Sequence, residues 1–599
     1  MKKRFLSTAL LLFLLVAFLL AAVGCNDQST EQPPSSSPSP SLKGESDTST
    51  DQTDPSTESS DPLTPSEDQS SPSKDEPVVP ASQGLRFVLN DDRASYTLAD
   101  IGECTDIRIV VPATYEGLPV TAIARRAFYR KNIESFVTLG NVRTVGEEAF
   151  AGSESLKYVA FAEGLVTIEA SAFNSATALE QASFPSSLTL ICEGAFKNSG
   201  IIELSLPENA VLEKGAFREC PRLKKVTLPQ KMTTVPAEAF FGCVALEEVT
   251  FPEGLTVIEN YAFQGCEALA EIDLPESLKT VAFGAFGHSG LTALTLPEGL
   301  TDLQAGAFTS CENLETVTLP QSITKIPFEC FGFCISLKSV TFGDKITEIG
   351  NNGFYGCEAL ESLTLPSTLK TLGNDSFAHC QSLKKVSFPA GLEAWGEKCF
   401  EYTVSLEKIT VYGEGDGVYA EGNCLVSKKD GCLLLGCKSS VIPEGVKAIG
   451  DYAFAGCTGL EVLYMPESVT AIGVKAFNNC QGLKVLGISP KVTVIGESAF
   501  SYCSKLICVV LPTELTTLGD TPFNGCTALQ RIFLDREDTS MNFGKWHHGL
   551  QSGQANAIYG RKDWRYVDGL PVLNWQVPKN APGYEYKDLI PEEHRHTDG

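Results

Sequence analysis

Residues 261–275 read "YAFQGCEALAEIDLP". A phenylalanine, a cysteine three positions on and an alternating apolar run would suggest a metal or redox site if they occurred once. Nearly the same phrase returns along most of the chain. Its phenylalanines are Phe128, Phe150, Phe173, Phe196, Phe217, Phe240, Phe263, Phe286, Phe308, Phe331, Phe354, Phe377, Phe400, Phe454, Phe477, Phe500 and Phe523. Most steps are 23 residues, a few are 21 or 22, and the step of 54 from Phe400 to Phe454 is one repeat plus a unit of 31. A chain of 599 residues is too long for one compact core. A strict period resolves this: each unit buries its apolar face against its neighbours, which is the signature of a solenoid.

Within one unit, "LKKVTLP" at 223–229 places Leu223, Val226 and Leu228 inward and Lys225 and Thr227 outward on a short strand that Pro229 ends. The second half, "GLTVIENYAF" at 254–263, adds Leu255 and Ile258 to the core before Phe263. Each unit is therefore one coil.

The pattern L-x-x-I-x-x-x-A-F-x-G-C-x-x-L-x-x-V-x-L-P resembles the BspA-like bacterial surface leucine-rich repeat over roughly residues 85–575. The resemblance implies a mainly β repeat solenoid, a right-handed superhelix with a parallel sheet on one face, about 23 residues per coil and a cap at each end. "LRFVLNDDRASYTLADIG" and "PATYEGLPVTAI" resemble the family's N-terminal cap, and "IYGRKDWRYVDGLPVLNW" its closing strands. Caps are physically required, because a bare end would expose apolar surface and an unpaired strand edge. The expected organisation is a signal peptide at 1–24, a tether at 25–84, an N-terminal β cap at 85–112, repeats at 113–535 with a hairpin-containing unit at about 412–442, and a C-terminal cap and tail at 536–599.

Cys220, Cys243, Cys266, Cys311, Cys334, Cys357, Cys380, Cys457, Cys480, Cys503 and Cys526 each follow a repeat phenylalanine by three residues. On stacked coils about 4.8 Å apart such side chains run parallel, with their Cβ atoms farther apart than a relaxed disulfide prefers. Ser153, Ala176, Ser199, Ser289 and Thr403 take the same slot, so it asks for a small buried side chain rather than for sulfur chemistry. Cys330 and Cys399 read the same way. No metal site is expected, since a parallel ladder does not converge on an ion. So many free thiols in an exported chain fit an anoxic habitat. In the 31-residue insertion, "NCLVSKKDGCLLLGC" at 423–437 reads as a β-hairpin in which Cys424 does not face Cys432. A local disulfide there stays open.

The chain begins "MKKRFLSTALLLFLLVAFLLAAVGC". Basic residues followed by an apolar run ending in small residues read as an export signal. "AVGC" resembles a bacterial lipobox, which implies lipidation at Cys25; an uncleaved membrane anchor is the alternative. Either reading places the rest outside the cytoplasm, lipid-anchored to the bacterial membrane in the first case. Residues 26–84 hold 12 acidic residues against two lysines and almost no large apolar side chain, so they read as an extended tether. It would reach roughly 180 Å as polyproline-like chain and about 45 Å as random coil.

The net charge of −27 and the absence of a basic cluster exclude a nucleic-acid partner. The sequence contains no G-x-S-x-G, no H-E-x-x-H and no phosphate-cradling glycine loop. His547, His548, His594 and His596 lie in polar or charged sequence and read as solvated. No catalytic residue and no cofactor is expected. Function then falls to the outward strand positions. From Thr227 through Thr250, Asp273, Thr295, Thr318, Thr341, Thr364, Ser387 and Thr410 these are mostly small hydroxyls; after the 31-residue insertion they become Val462, Tyr464, Val485, Gly487, Cys508, Val510, Arg531 and Phe533. An apolar stripe of this kind marks a contact. Tyr464, Val485, Val510, Arg531 and Phe533 are its candidate anchors, and a cover formed by residues 536–575, with Trp546, Trp564 and Trp575, is the competing explanation. The resemblance implies a cell-surface binding protein, an adhesin engaging protein or glycan on host or neighbouring cells. A structural spacer or self-associating scaffold is the alternative.

Overall fold

The computed structural model describes residues 80–535 and the backbone of three further strands, Ala557–Tyr559, Trp564–Val567 and Leu570–Leu573. The expected signal peptide, Cys25, most of the tether, the paired histidines and the C-terminal tail lie outside the described residues. Among the described residues there is no α-helix.

One coil explains the rest. Strand Lys225–Thr227 pairs in parallel with Glu248–Thr250, residue for residue 23 positions on. After the turn at Pro229, the two-residue strand Thr234–Val235 pairs in parallel with Val257–Ile258. Parallel pairing therefore runs along two faces of the coil, one with longer strands and one with shorter strands.

The third side is a ladder of turns. Glu238, Phe240 and Gly242 donate their N–H groups to the carbonyls of Asn260, Ala262 and Gln264 of the next coil, at 3.0, 2.9 and 2.7 Å. Helix is prevented here by left-handed residues two positions before and two after the repeat phenylalanine: Glu238 (φ 57°) and Gly242 (φ 68°), then Tyr261 (φ 59°) and Gly265 (φ 74°). A non-glycine residue in this conformation costs roughly 1 kcal/mol. Each hydrogen bond it allows to the neighbouring coil returns a similar amount.

The core is a column of rings. Phe128 to Phe400 stack coil upon coil; Phe150 and Phe173, for example, lie 4.9 Å apart at 3°. A second column runs from Phe454 to Phe523 with centroids 5.0–5.6 Å apart. Rings at the end of some long strands meet this column edge-on, as Phe251 does Phe263 at 79°. The apolar core itself divides where the columns do, with one cluster ending at Cys437 and the other beginning at Cys424.

The 31-residue insertion causes this division. It holds a hairpin, Cys424–Ser427 against Cys432–Leu435, preceded by a further antiparallel strand, Val418–Glu421. Cys432–Leu435 then pairs in parallel with Ala448–Ile449 and resumes the short-strand face. Gly436 follows at a point where a Cβ would lie 1.9 Å from the Phe454 ring. Only glycine lets the second column start there.

Candidate binding surface

The repeat cysteines are not chemically available. All described cysteines are free and most are buried. Burial pushes the thiols of Cys380 and Cys457 up to about 12 and that of Cys432 to about 11, so they stay protonated at neutral pH. Their hydrogens have a use that sequence does not reveal. Cys243 donates to the Phe217 carbonyl at 3.2 Å, Cys266 to Phe240 at 3.3 Å and Cys503 to Phe477 at 3.2 Å. Ser153 does the same to Phe128 at 2.7 Å. The slot therefore selects for a small donor that ties each coil to the phenylalanine of an earlier one. Ala176 shows that the bond is dispensable at a single coil.

On the long-strand face of the first column, charge and hydroxyl rows alternate. Lys224–Glu247, Glu315–Lys338 and Glu361–Lys384 form ion pairs between coils at 3.0, 2.7 and 3.1 Å. Beside them Thr250, Thr295, Thr318, Thr341 and Thr364 stand exposed, and Ser387 and Thr410 share a hydrogen bond at 2.8 Å. From Thr250 to Thr410 this is a solvated surface of small hydroxyls and paired charges.

The second column presents a different face. Val462 lies opposite Val485, Tyr464 opposite Gly487, Cys508 opposite Arg531 and Val510 opposite Phe533. Val462, Tyr464, Val485, Val510 and Arg531 are half-buried. The charge row continues as Glu461–Lys484 at 2.9 Å and then stops, and its next position is Ile507, 51% exposed. Sequence reading missed Ile507. An apolar residue where most coils supply an acid or a lysine is the signal that would have found it. Burial raises the Tyr464 hydroxyl above its ordinary range and, despite nearby Arg531, the Cys508 thiol as well.

Phe533 departs from the expectation. Alternation along Arg531–Leu534 puts it outward, yet it is fully buried together with Ile532 and Leu534. This strand is flanked on both sides, by Cys508–Leu511 and by Ala557–Tyr559, with Tyr559 in register with Phe533. It is thus an interior strand of its sheet, and the buried Phe533 is not an exposed anchor. The C-terminal segment extends the sheet at that point.

A further set of rings decorates the turn face, where sequence gave no warning. Phe333, Tyr355, His379 and Tyr402 follow one another over four coils with centroids 5.0, 5.1 and 4.7 Å apart. Phe333 lies against Gly356 and Tyr402 against Gly456, where a Cβ would meet those residues at 3.4 and 2.7 Å. The rings shield turn backbone that the glycines leave bare. Burial lowers the His379 pKa despite nearby Asp375 and Glu358, so it is neutral at pH 7. Among the described residues no group of three or more His, Cys, Asp or Glu side chains is placed to hold a metal ion.

The sequence profile of the BspA type leucine rich repeat region matches residues 121–247, 195–315, 233–361, 304–417 and 434–544, together more than half of the chain. The chain belongs to this family. Solved structures similar to this BspA-type chain include a leucine-rich repeat protein from Bacteroides ovatus, 20% identical, covering 81% of this chain and 100% of the other, with a TM-score of 0.36. A leucine rich cell surface protein from Faecalibacterium prausnitzii is also 20% identical, covering 82% and 96%, with a TM-score of 0.33. The T. pallidum leucine rich repeat protein is 29% identical over 32% of this chain and 91% of its own, with a TM-score of 0.30. No curated protein sequence matches the chain.

Proposed function

We propose that this BspA-type protein is a non-catalytic, extracytoplasmic binding protein, held to the bacterial membrane by a lipid on Cys25 and carried outward by the tether at 25–84. It acts as an adhesin, and its partner is a protein or glycan on host or neighbouring cells. The binding face is the long-strand side of the second column, with Tyr464, Val485, Val510 and Arg531 as anchors and Ile507 at its margin. The observation that supports this reading is the switch, on one continuous scaffold, from charged and hydroxyl rows to half-buried apolar side chains. Aromatic and arginine side chains at the centre of such a patch carry a disproportionate share of binding energy.

The purified mature chain, tested against host matrix proteins, other bacterial cells and itself, is expected to bind at least one heterologous surface and to block attachment of cells that display it. Self-association with no other binding would defeat the adhesin reading. For the anchor, Cys25→Ala is expected to shift the protein from the membrane fraction to the medium or to leave an unprocessed precursor; unchanged lipid labelling would exclude Cys25 as the acylated residue.

A further inference from the structure

The coil from Phe196 to Phe217 has 21 residues, two fewer than the usual period. One residue is lost between Pro207 and Leu212 and the other at Gly200, which lies so close to the preceding coil that a Cβ would stand 2.2 Å from the Thr177 carbonyl oxygen. Both sheets break at this coil. On the long-strand face, Gln181–Ser183 pairs only with Tyr158–Ala160, and Glu203–Ser205 pairs only with Lys225–Thr227. On the short-strand face one sheet ends at Val211–Leu212 and the next begins at Thr234–Val235.

The Ile202 N–H still reaches the Glu180 carbonyl at 3.3 Å. Past that bond Gln181–Ser183 and Glu203–Ser205 are no longer paired, and two strand edges face each other across the break. A cavity of about 730 Å³ opens over it. Ala182, Phe184 and Leu204 of the core line its floor, the first two only partly covered. Glu180, Glu203 and Lys225 stand on its outward rim. Arg222 holds Glu180 at 3.0 Å and Glu248 holds Lys225 at 2.7 Å. Lys225 stands in register with Glu203 but is held by Glu248, so the three carboxylates Glu180, Glu203 and Glu248 face only two cations, Arg222 and Lys225, and the rim keeps a net negative charge.

We propose that this break is a docking groove for an extended polypeptide segment of a partner protein that alternates apolar and cationic side chains. Unpaired strand edges supply backbone hydrogen bonds to an added strand. Alternation then sends one set of its side chains toward Ala182, Phe184 and Leu204 and the other outward, where Glu203 selects positive charge. Two apolar floor residues left half-covered mark the positions an inserted side chain would fill. The groove is separate from the second column's face and does not depend on the function proposed for it.

The test uses the full mature chain and a fluorescent acetyl-Lys-Val-Lys-Val-Lys-Val-amide, read by anisotropy at low ionic strength. Saturable binding is expected, with Glu203→Lys weakening it about tenfold or more and Glu203→Gln weakening it less. The same peptide N-methylated on alternate residues, unable to form a strand ladder, is expected not to bind. Inserting one residue after Gly200, which restores the spacing of 12 found from Phe173 to Pro185, is expected to close the groove and abolish binding in a chain whose circular dichroism is unchanged. Absence of saturable binding would overturn the proposal. So would equal binding by a control peptide with glutamate in place of each lysine, equal binding by the N-methylated peptide, or affinity indifferent to both Glu203 variants.

Discussion

The two ring columns share one interior and differ in what they show to solvent. Around Phe263 and around Phe477 the same parts recur: a buried phenylalanine stack, a thiol donating to an earlier coil's phenylalanine carbonyl, and parallel pairing 23 residues on. Outside, the first column carries inter-coil ion pairs and threonines, and the second carries valines, a tyrosine and an exposed isoleucine. The interior is dictated by stacking, which permits little variation, whereas the outward positions are free to differ because no neighbour constrains them. A difference confined to the free positions points to what the molecule contacts.

The comparison can be broken from the inside. Removing a ring in either column should cost about 3–5 kcal/mol, as large-to-small core changes do. Phe263→Ala and Phe477→Ala are expected to lower the midpoint of different denaturation transitions, since the core divides at the 31-residue insertion. A single transition shifted equally by both would show that the columns fold as one unit. Gly436→Ala sharpens this, because its Cβ would overlap the Phe454 ring. It should destabilise the second column by about 1–3 kcal/mol, the range for overpacking, and leave the first untouched by hydrogen exchange.

Smaller effects test the thiol ladder. Cys266→Ser keeps a donor of the kind Ser153 already supplies, whereas Cys266→Ala removes the bond to the Phe240 carbonyl. The alanine variant is expected to lose about 1 kcal/mol more than the serine variant in urea denaturation. Equal losses would reduce the thiol to filler.

The smallest effect is a pH dependence on the turn face. Burial raises the Glu401 carboxyl above its ordinary range despite nearby Lys398. A raised folded-state pKa means that its contribution to stability is fully present below the unfolded-state value and is lost as pH rises through the folded-state value. Wild type should therefore lose stability relative to Glu401→Gln as pH climbs from the ordinary glutamate range toward neutrality. Parallel stability curves for the two proteins would contradict this.

Much of the fold is legible in the sequence because the repeat makes one inference serve every coil. The Phe263 phrase fixes the period, and period alone stacks Phe240, Phe263 and Phe286. The hairpin at Cys424–Ser427 and Cys432–Leu435 is readable from two apolar runs about a Lys-Lys-Asp-Gly turn. What escaped depends on neighbours that periodicity does not specify. Alternation places Phe533 outward, but it does not reveal that the residue is buried. The slot of Cys243 looks merely small, because its acceptor belongs to another coil. The two-residue shortening between Phe196 and Phe217 is visible in the spacing, yet the separation of strands beside it is a property of three dimensions.

The claim at the centre is that cell attachment runs through the second column's outward face and not through the threonine rows of the first. Attachment of cells displaying the full chain should be compared for Val485→Asp/Val510→Asp and for Thr318→Asp/Thr341→Asp, with both variants shown to retain wild-type hydrogen-exchange protection. Attachment lost at least tenfold in the first pair and kept in the second is the predicted result. Equal attachment by both variants, or loss confined to the threonine pair, would contradict it.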